Sequence, residues 1–262
     1  MLKDKKLFLF DMDGTIYHEE CLIEGSLELF DKLKKQNKEF IFLTNNSSKS
    51  VEVYIEKLKR LGIEVDKKNF FTSSQATILY LKEKKFNNNI YVVGTEAFKK
   101  EIKESGLQLL DEDSEEKIET LVVGFDTELN YSKLTKASLI LFEEVNYIAT
   151  NPDLACPIKG NKFIPDCGAI CELLYKVTNK KPFYVGKPRK EMIEILMQEK
   201  GYRKEEVVVI GDRLYTDIAC GLNANVTSIL VLTGETDIKM LEKSEIKPTL
   251  VFKSIKEIIK NI

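Results

Sequence analysis

The chain has 262 residues, 43% of them hydrophobic, and its 40 Lys and Arg residues nearly balance its 42 Asp and Glu residues. This length and apolar content allow one large domain or two smaller ones with a sizeable core, which excludes a disordered chain. There is no basic block, no signal-peptide pattern and no apolar segment near the roughly 20 residues of a membrane span. The sequence therefore favours a cytoplasmic protein that binds a small molecule, and neither nucleic acid nor membrane.

Five cysteines are scattered without a CxxC pair, and His18 is the only histidine in the sequence. This spacing is typical of reduced cysteines that fill core or surface positions. A single histidine excludes a multi-histidine zinc centre and an ordinary Ser-His-Asp triad. The chemistry must come from other residue types.

The first predicted element is a strand over Leu7–Phe10, four bulky residues in a row. Such runs are typical of strands that helices cover on both faces of a parallel sheet. Residues i and i+2 of an extended chain point the same way, so Asp11 and Asp13 can address one site beyond the strand, where α/β sheets bind ligands. Gly14 allows a tight turn that brings backbone amides close to an anion. This stretch predicts a metal and phosphate site.

A helix predicted at residues 26–36 leads to a second buried strand at 40–43, which ends in hydroxyl and amide side chains at 44–48. Another helix is predicted at 50–61, before Gly62, so these side chains lie at a helix N-terminus. Its free amides and partial positive charge suit a phosphate. The same residues could instead serve only as helix caps, and this stretch alone leaves both interpretations open.

A second strand-helix series occupies the middle of the chain. A strand and turn at residues 70–74 and a helix at 75–85 precede the polar run at 87–89. The series that follows has predicted strands at 90–93, 120–125 and 147–150 and helices at 96–105, 131–142 and 168–177. We interpret residues 82–180 as an inserted α/β domain, and 1–81 with 181–262 as the core.

The original pattern resumes at residues 183–188, where a short strand is predicted to end in Lys187. Pro188 is predicted to open a helix that runs to residue 200, because proline is favoured at the first helical position. The lysine is therefore expected at the end of a strand of the core sheet.

Residues 207–210 are the most strand-like run of the chain, and they lead to Asp212, with Asp217 five residues later near the start of another predicted helix. The remaining predicted elements are strands at 228–232 and 249–252 and a helix at 254–260. A carboxylate thus follows another buried strand, as at the start of the chain.

Parallel strands of a doubly wound sheet point their carboxyl ends to one edge, so four strand ends are expected to meet in one crevice. They carry Asp11 and Asp13, residues 44–47, Lys187, and Asp212 with Asp217. Magnesium prefers oxygen ligands and is typically held by one or two carboxylates plus a substrate phosphate, which Asp11 and Asp212 can provide. The predicted fold is a doubly wound parallel-sheet α/β core with an inserted α/β domain.

Four ordered motifs resemble those of the haloacid dehalogenase superfamily. They are Asp-Met-Asp-Gly-Thr at 11–15, Thr-Asn-Asn-Ser at 44–47, Gly-Lys-Pro at 186–188 and Gly-Asp-Arg-Leu-Tyr-Thr-Asp at 211–217. The chain is more closely similar to the NagD-like phosphatases, which include para-nitrophenyl phosphatases and relatives acting on phosphoglycolate or pyridoxal phosphate. The resemblance extends over nearly the whole chain, including residues 23–25, 149–153 and 232–234.

This resemblance implies Asp11 as the nucleophile that becomes an aspartyl phosphate, and Asp13 as the acid for the leaving oxygen and then the base for water. It implies Mg²⁺ at the Asp11 carboxylate, the Asp13 main-chain carbonyl and Asp212, with Asp217 as outer support. The residues expected around the phosphoryl group are Met12, Gly14, Thr44, Asn45, Asn46 and Lys187. Positive charge from Mg²⁺ and lysine would offset repulsion between the carboxylates and a phosphate dianion.

The spacing of the motifs discriminates within the superfamily. There is room for one helix between Asp11 and Thr44, but for the whole middle block between Thr44 and Lys187. The insertion therefore resembles the α/β type-2 cap, through which relatives commonly dimerise, so a homodimer is also implied. The candidates for substrate contact near this cap are Asn151, Pro152 and Asp153, with a strand-ending turn as the alternative interpretation.

The sequence thus predicts a Mg²⁺-dependent phosphatase for small phosphate monoesters of the sugar phosphate, nucleotide, phosphoglycolate or para-nitrophenyl phosphate type. Phosphoryl transfer to another acceptor on the same core and non-catalytic binding of a phospho-ligand are the alternatives. Asp13 argues against the binding protein, which would need no acid. Tyr215 and Asn225 depart from residues common in the family, and neither is assigned a role in the chemistry.

Overall fold

The structure is a computed structural model that describes residues 2–48, 50–111, 113–158, 160 and 162–262. Within these residues the strands are β1 (Leu7–Phe10), β2 (Tyr17–His18), β3 (Cys21–Leu22), β4 (Glu39–Thr44), β5 (Phe70–Thr72), β6 (Ile90–Val93), β7 (Thr120–Val123), β8 (Asn146–Ala149), β9 (Ala155–Ile158), β10 (Lys162–Pro165), β11 (Phe183–Tyr184), β12 (Val207–Gly211), β13 (Thr227–Val231) and β14 (Leu250–Phe252). The helices are α1 (Ser26–Lys35), α2 (Val51–Arg60), α3 (Ser73–Glu83), α4 (Glu96–Glu104), α5 (Tyr131–Ile140), α6 (Cys167–Thr178), α7 (Glu191–Lys200), α8 (Ala219–Asn223), α9 (Ile238–Lys243) and α10 (Ile255–Ile258). A π-helical turn occupies Leu214–Ile218. None of the helices in this described part of the chain combines the length and apolar character needed to cross a membrane.

The chain divides into two compact units. The first contains the chain up to Thr44, Val51–Phe71 and Lys187–Ile262, and the second contains Asn45–Ser50 and Thr72–Gly186. The second unit extends beyond the expected insertion of residues 82–180 because it includes α3 and β11. The ring of Tyr80 on α3 stacks on Phe183 of β11, with ring centroids 5.0 Å apart. The unit boundaries therefore follow this packing and differ from the predicted domain boundaries.

The sheet of the first unit has the strand order β14-β13-β12-β1-β4-β5. β1 runs parallel to both β12 and β4, and Phe10 is level with Ile210 on one side and Phe42 on the other. All four residues of β1 are buried, as expected for an apolar run in a sheet covered on both faces. The predicted doubly wound parallel sheet is confirmed, and the register makes β1, β12 and β4 end at one edge.

An aromatic cluster holds the end of β1 against α1. The ring of Phe30 on α1 meets Phe10 edge-on at a centroid distance of 5.3 Å and Phe42 at 5.4 Å. Edge-to-face pairs of this kind contribute about 0.5–1.5 kcal/mol beyond their burial. The residues that precede the candidate site therefore sit in a closely packed core.

The second unit has its own four-stranded sheet with the order β11-β8-β7-β6 and parallel pairing throughout. Its core combines these strands with α5 and α6, through residues such as Val123, Ile140 and Leu174. The antiparallel hairpin β9–β10 is largely exposed, including Phe163. This hairpin and the short β2–β3 pair were not predicted, because neither has an apolar alternation that marks a buried face.

Two predictions near Lys187 are wrong. The short strand predicted to end in Lys187 does not belong to the core sheet, because β11 pairs with β8 in the second unit. Pro188 does not open α7, which begins at Glu191, and the Lys187–Pro188 peptide bond is cis. A short apolar run has no local feature that tells which of two sheets it will join.

Candidate active site

Three carboxylates converge at the carboxyl edge of the first unit's sheet. Asp11 directly follows β1, Asp212 directly follows β12, and Asp217 lies in the π-helical turn. A carboxylate oxygen from each of the three lies within 4.8 Å of the others. The parallel register of β1 and β12 brings the first two together, since both strands end at the same level.

Lys187 lies against two of these carboxylates. Its Nζ is 2.7 Å from Asp11 Oδ1 and 2.6 Å from Asp217 Oδ1, and it also donates to the Leu43 carbonyl at 3.3 Å. The side chain is only 5% exposed. Burial lowers the pKa of Lys187, but the two carboxylates outweigh burial and hold this pKa above its usual value. Lys187 is therefore a fixed cation in the cluster, although it does not follow a strand of this sheet.

Asp217 has both carboxylate oxygens engaged. Oδ1 pairs with Lys187, and Oδ2 accepts a hydrogen bond from the Arg213 backbone N–H at 3.2 Å. A Cβ at Gly211 would lie 2.3 Å from the Asp217 Cβ, so only glycine leaves room for this close approach. This arrangement suits Asp217 to orienting Lys187, since both of its oxygens are already engaged by protein groups.

Asp212 has one oxygen engaged and one without a partner. Oδ2 accepts from the Glu235 backbone N–H at 2.7 Å, whereas Oδ1 has no hydrogen-bond partner among the described residues although Asp212 is only 2% exposed. A buried carboxylate oxygen without a partner is costly. An all-oxygen set of this kind fits a hard divalent cation, and Asp11 with Asp212 would hold it.

The electrostatics of the cluster point the same way. The pKa of Asp11 is raised to about 6 and that of Asp212 to about 8, and burial is the largest cause of both shifts. Neighbouring carboxylates contribute to the increase, whereas Lys187 opposes it at Asp11 and the Glu235 backbone N–H opposes it at Asp212. The cluster is thus short of positive charge, which a divalent cation would supply.

The residues after Asp11 form a tight turn. Gly14 has φ 77°, and its backbone N–H donates to the Tyr17 carbonyl at 2.9 Å. A Cβ at Gly14 would lie 2.6 Å from Asp212 Oδ2. Met12 is buried, and Asp13 is exposed. The structure therefore gives Gly14 a conformational role, with its amide engaged inside the turn, and leaves the Asp13 side chain accessible.

The polar residues after β4 divide between the units. Thr44 ends β4 in the first unit and is buried. Asn45 begins the segment assigned to the second unit, where its Nδ2 donates to Asp153 Oδ2 at 2.9 Å. Asn46 Oδ1 accepts from both the backbone N–H and the hydroxyl of Ser48, each at 2.9 Å. The side chains of Asn45 and Asn46 are therefore engaged in shaping the loop.

The three candidates for substrate contact are placed differently from one another. Asn151 is fully buried, and its Nδ2 donates to Asp153 Oδ2 at 3.1 Å and to Asp166 Oδ1 at 3.0 Å. Pro152 and Asp153 are half-buried. Asn151 thus faces protein groups in this structure, including Asp166, which the sequence had not singled out.

A loop after β13 also contributes groups that the sequence had not identified as part of the site. Thr233 Oγ1 donates to the Gly14 carbonyl at 2.7 Å, and Glu235 Oε2 lies 2.9 Å from Arg213 Nε. Tyr215 OH donates to the same Glu235 oxygen at 3.1 Å. The available signal was that β13 is a further parallel strand ending at this edge of the sheet, followed by polar residues.

Comparisons with known proteins agree with this geometry. A family model described as haloacid dehalogenase-like hydrolase matches residues 8–108, and one described as HAD-hydrolase-like matches 184–258. The chain is 32% identical to an acid sugar phosphatase of Staphylococcus haemolyticus, over 97% of this chain and 95% of that protein. It is 34% identical to the chloroplastic phosphoglycolate phosphatase 1A of Arabidopsis thaliana, over 94% of this chain and 74% of that protein.

Solved structures are similar over nearly the full length. A 4-nitrophenylphosphatase from Thermotoga maritima has a TM-score of 0.92 at 39% identity and covers 99% of this chain and 98% of its own. NagD from E. coli K-12 has a TM-score of 0.88 at 29% identity and covers 97% of this chain and 98% of its own.

A parallel α/β core with an acidic cluster and a buried lysine at one sheet edge defines a hydrolase of phosphate esters. The chain belongs to the haloacid dehalogenase-like hydrolases. Within them it is a phosphatase, and its relatives are NagD and the 4-nitrophenylphosphatases.

Proposed function

We propose that this phosphatase hydrolyses small phosphate monoesters with Mg²⁺, in two steps, through an aspartyl phosphate on Asp11. The observation that carries the proposal is the position of the Asp11 carboxylate, paired with Lys187 at 2.7 Å and close to the buried Asp212. A carboxylate, a fixed cation and a buried carboxylate oxygen without a partner among the described residues support the roles of nucleophile, phosphoryl-binding group and metal ligand at this edge of the sheet.

In the first step a carboxylate oxygen of Asp11 bonds to phosphorus while the bond from phosphorus to the ester oxygen breaks. Asp13 gives its proton to the departing alcohol. In the second step Asp13 takes a proton from a water molecule, whose oxygen attacks phosphorus, and the bond to Asp11 breaks. Inorganic phosphate is released, and both aspartates return to their first state. Proton transfer of this kind is typically worth about 10²- to 10⁴-fold in rate.

The charges of the cluster would stabilise the phosphoryl group during both steps. Lys187, Thr44 and the Asn45 amide would hold phosphoryl oxygens. The Asp11 carboxylate, the Asp13 carbonyl and Asp212 would hold Mg²⁺, supported by Asp217. The bound ion would supply positive charge where the equatorial oxygens become more negative.

The names of the relatives suggest where to look for the substrate. Acid sugar phosphatases, phosphoglycolate phosphatases and 4-nitrophenylphosphatases are similar to this chain over most of its length. We therefore propose sugar phosphates, 2-phosphoglycolate and 4-nitrophenyl phosphate as the first esters to assay.

The variant Asp11→Asn tests the nucleophile. It keeps the size of the side chain but cannot form the acyl phosphate, so turnover is expected to fall on the order of 10³-fold or more with the melting temperature nearly unchanged. Asp31→Asn, which changes an exposed carboxylate on α1, is the matched control. A folded Asp11→Asn protein with wild-type turnover would falsify the mechanism.

Removal of the metal tests the proposed cofactor. Treatment with a chelator is expected to abolish release of phosphate, and added Mg²⁺ to restore it. Full activity in the chelator would exclude the proposed role of the metal.

Quantifying free phosphate against phosphorylated alcohol, with glycerol present as an acceptor, separates hydrolysis from phosphoryl transfer.

A further inference from the structure

Two separate hydrogen bonds connect the Asn45–Ser50 segment to residues 150–153 within the second unit. One joins Asn45 Nδ2 to Asp153 Oδ2 at 2.9 Å. The other joins the hydroxyls of Ser47 and Thr150, whose oxygens are 3.1 Å apart. The segment is therefore held at two points, one on each side of Asn46.

The second connection has a defined direction. The Thr150 hydroxyl donates to Asn151 Oδ1 at 2.7 Å, so its single proton is already used. The Ser47 hydroxyl must therefore donate to Thr150, and its oxygen accepts the Phe125 backbone N–H at 2.8 Å. In this series of hydrogen bonds each hydroxyl proton has a single acceptor, so the side chains have one favoured arrangement.

Asn151 is the group on which both connections meet. Its oxygen accepts from Thr150, and its nitrogen donates to the carboxylates of Asp153 and Asp166. Both protons of its amide and one lone pair of its oxygen are used, and the residue has no exposed surface. Only a carboxamide supplies two donors and an acceptor in this shape.

The Asn45 carbonyl and side-chain amide nitrogen form hydrogen bonds within this unit, and its side-chain oxygen is closely packed. Its carbonyl accepts from the Ser73 hydroxyl at 2.6 Å, and its Nδ2 donates to Asp153. Its Oδ1 lies against Gly186, where a Cβ would come within 2.6 Å of it. The conformation of Asn45 is thus set by the protein before any ligand arrives.

We propose that Asn151 and Asp153 are positioning residues that hold Asn45 in its place, and not contacts to the substrate. The inference rests on the proposed function, in which the Asn45 amide binds the phosphoryl group. Asn45 directly follows Thr44, so its backbone geometry also determines where the chain leaves β4. Preorganised donors act on the phosphoryl group that every substrate shares, and therefore carry no preference between leaving groups.

The test compares Asp153→Ala with Asp153→Asn and uses Glu172→Ala, an exposed carboxylate on α6, as the matched control. Asparagine at 153 keeps an oxygen that can accept from Asn45 and Asn151, whereas alanine removes it. For each protein kcat and KM are measured on 4-nitrophenyl phosphate and on a sugar phosphate, together with inhibition by inorganic phosphate.

We expect Asp153→Ala to lower kcat/KM for both esters by one common factor, on the order of tenfold, the size expected from losing the charge-assisted hydrogen bond that holds Asn45. The inhibition constant of inorganic phosphate should rise by a similar factor. Asp153→Asn and Glu172→Ala should stay within about twofold of the wild type. Impairment of Asp153→Asn equal to that of Asp153→Ala, or different losses for the two esters, would instead make Asp153 a contact to the substrate.

The experiment also covers two further outcomes, in which Asp153→Ala does not fold or the wild type hydrolyses no ester. If Asp153→Ala does not fold, Asp153→Glu replaces it, since it keeps the charge but moves the acceptor, and wild-type behaviour of that variant would overturn the inference. If the wild type hydrolyses no ester, the proposed function fails. Stabilisation of the wild type and Asp153→Asn, but not of Asp153→Ala, by inorganic phosphate would then still support the positioning role, and equal stabilisation of all three would reject it.

Discussion

Close packing around Asp212 is the residue-scale feature on which the site depends. A Cβ at Gly234 would lie 2.0 Å from Asp212 Oδ2, and one at Gly14 would lie 2.6 Å from the same oxygen. Real Cβ atoms do not approach a carboxylate oxygen this closely, so both positions require the absence of a side chain. The two glycines thereby determine where the carboxylate can lie.

Gly234→Ala is expected to displace the Asp212 carboxylate while leaving the fold intact. The affinity for Mg²⁺, measured by titration calorimetry, and kcat should each fall about 10- to 100-fold, as for other residues that orient metal ligands. Gly221→Ala is the comparison for a tight fit that does not involve Asp212, because its Cβ would lie 3.1 Å from the Ser228 Cβ. Unchanged Mg²⁺ affinity in Gly234→Ala would mean that the loop yields to the methyl group.

For much of this site the sequence predicts which residues take part but not which residues they contact. Asp11 and Asp212 were identifiable because each follows a strongly apolar run. The pairing of Arg213 with Glu235 was not, because it joins the ends of two different strands. A contact between residues distant in the chain leaves no periodic signal in either segment.

At the scale of elements, the N-terminus of α6 combines a helix cap with a buried carboxylate. Asp166 Oδ1 accepts from the Cys167 backbone N–H at 2.6 Å and from Asn151 Nδ2 at 3.0 Å. Burial raises the pKa of Asp166 to about 6, and these two hydrogen bonds offset burial only in part. The folded protein therefore holds a proton on Asp166 more tightly than the unfolded chain does.

This difference predicts that Asp166 makes the protein less stable as pH rises. Between the ordinary pKa of 3.8 and the folded value of about 6, the folded state binds more protons, so the free energy of unfolding falls by at most about 3 kcal/mol. Asp166→Asn keeps the accepting oxygen but does not titrate. Its free energy of unfolding relative to the wild type, from denaturant titrations at pH 4.5 to 7.5, should rise with pH. A flat or falling difference would contradict the prediction.

The placement of two elements exceeded what local patterns indicate. Asp217 is predicted near the start of a helix, and in the structure it lies directly before α8, in a π-helical turn at Leu214–Ile218 that the pattern does not reveal. In this turn Asp217 and Ile218 both donate from their backbone N–H groups to the Arg213 carbonyl. β11 was predicted as a strand and is one, but in the other sheet. Periodicity identifies the type of an element more readily than its neighbours.

At the scale of the whole molecule, the clustered carboxylates are expected to lower the stability of the metal-free folded protein. This loss follows from the arrangement that the site needs for function. Three acidic groups lie within 4.8 Å, with Lys187 paired to two of them. Like charges at this distance repel, and sites arranged for binding are commonly less stable than they could be. A bound cation would relieve that repulsion by stabilising the folded state alone.

Asp212→Asn should therefore make the metal-free protein more stable, by on the order of 1–2 kcal/mol, and remove the stabilisation that Mg²⁺ is expected to give the wild type. Each kcal/mol of this gain corresponds to an increase of roughly 2–4 °C in melting temperature. Thermal unfolding with chelator and with excess Mg²⁺ measures both effects, with Asp31→Asn as the control. A less stable Asp212→Asn protein in chelator would show that the carboxylate stabilises the metal-free fold.

The sequence by itself determined the buried strands, the parallel α/β class and the polar residues that follow β1, β4 and β12. These features are local, since an apolar run and the residue after it are adjacent in the chain. Only the tertiary structure decided that Lys187 reaches Asp11 without following a strand of the same sheet. It also decided that Asn151 is buried against the carboxylate of Asp166, because that residue is 15 positions away in the chain.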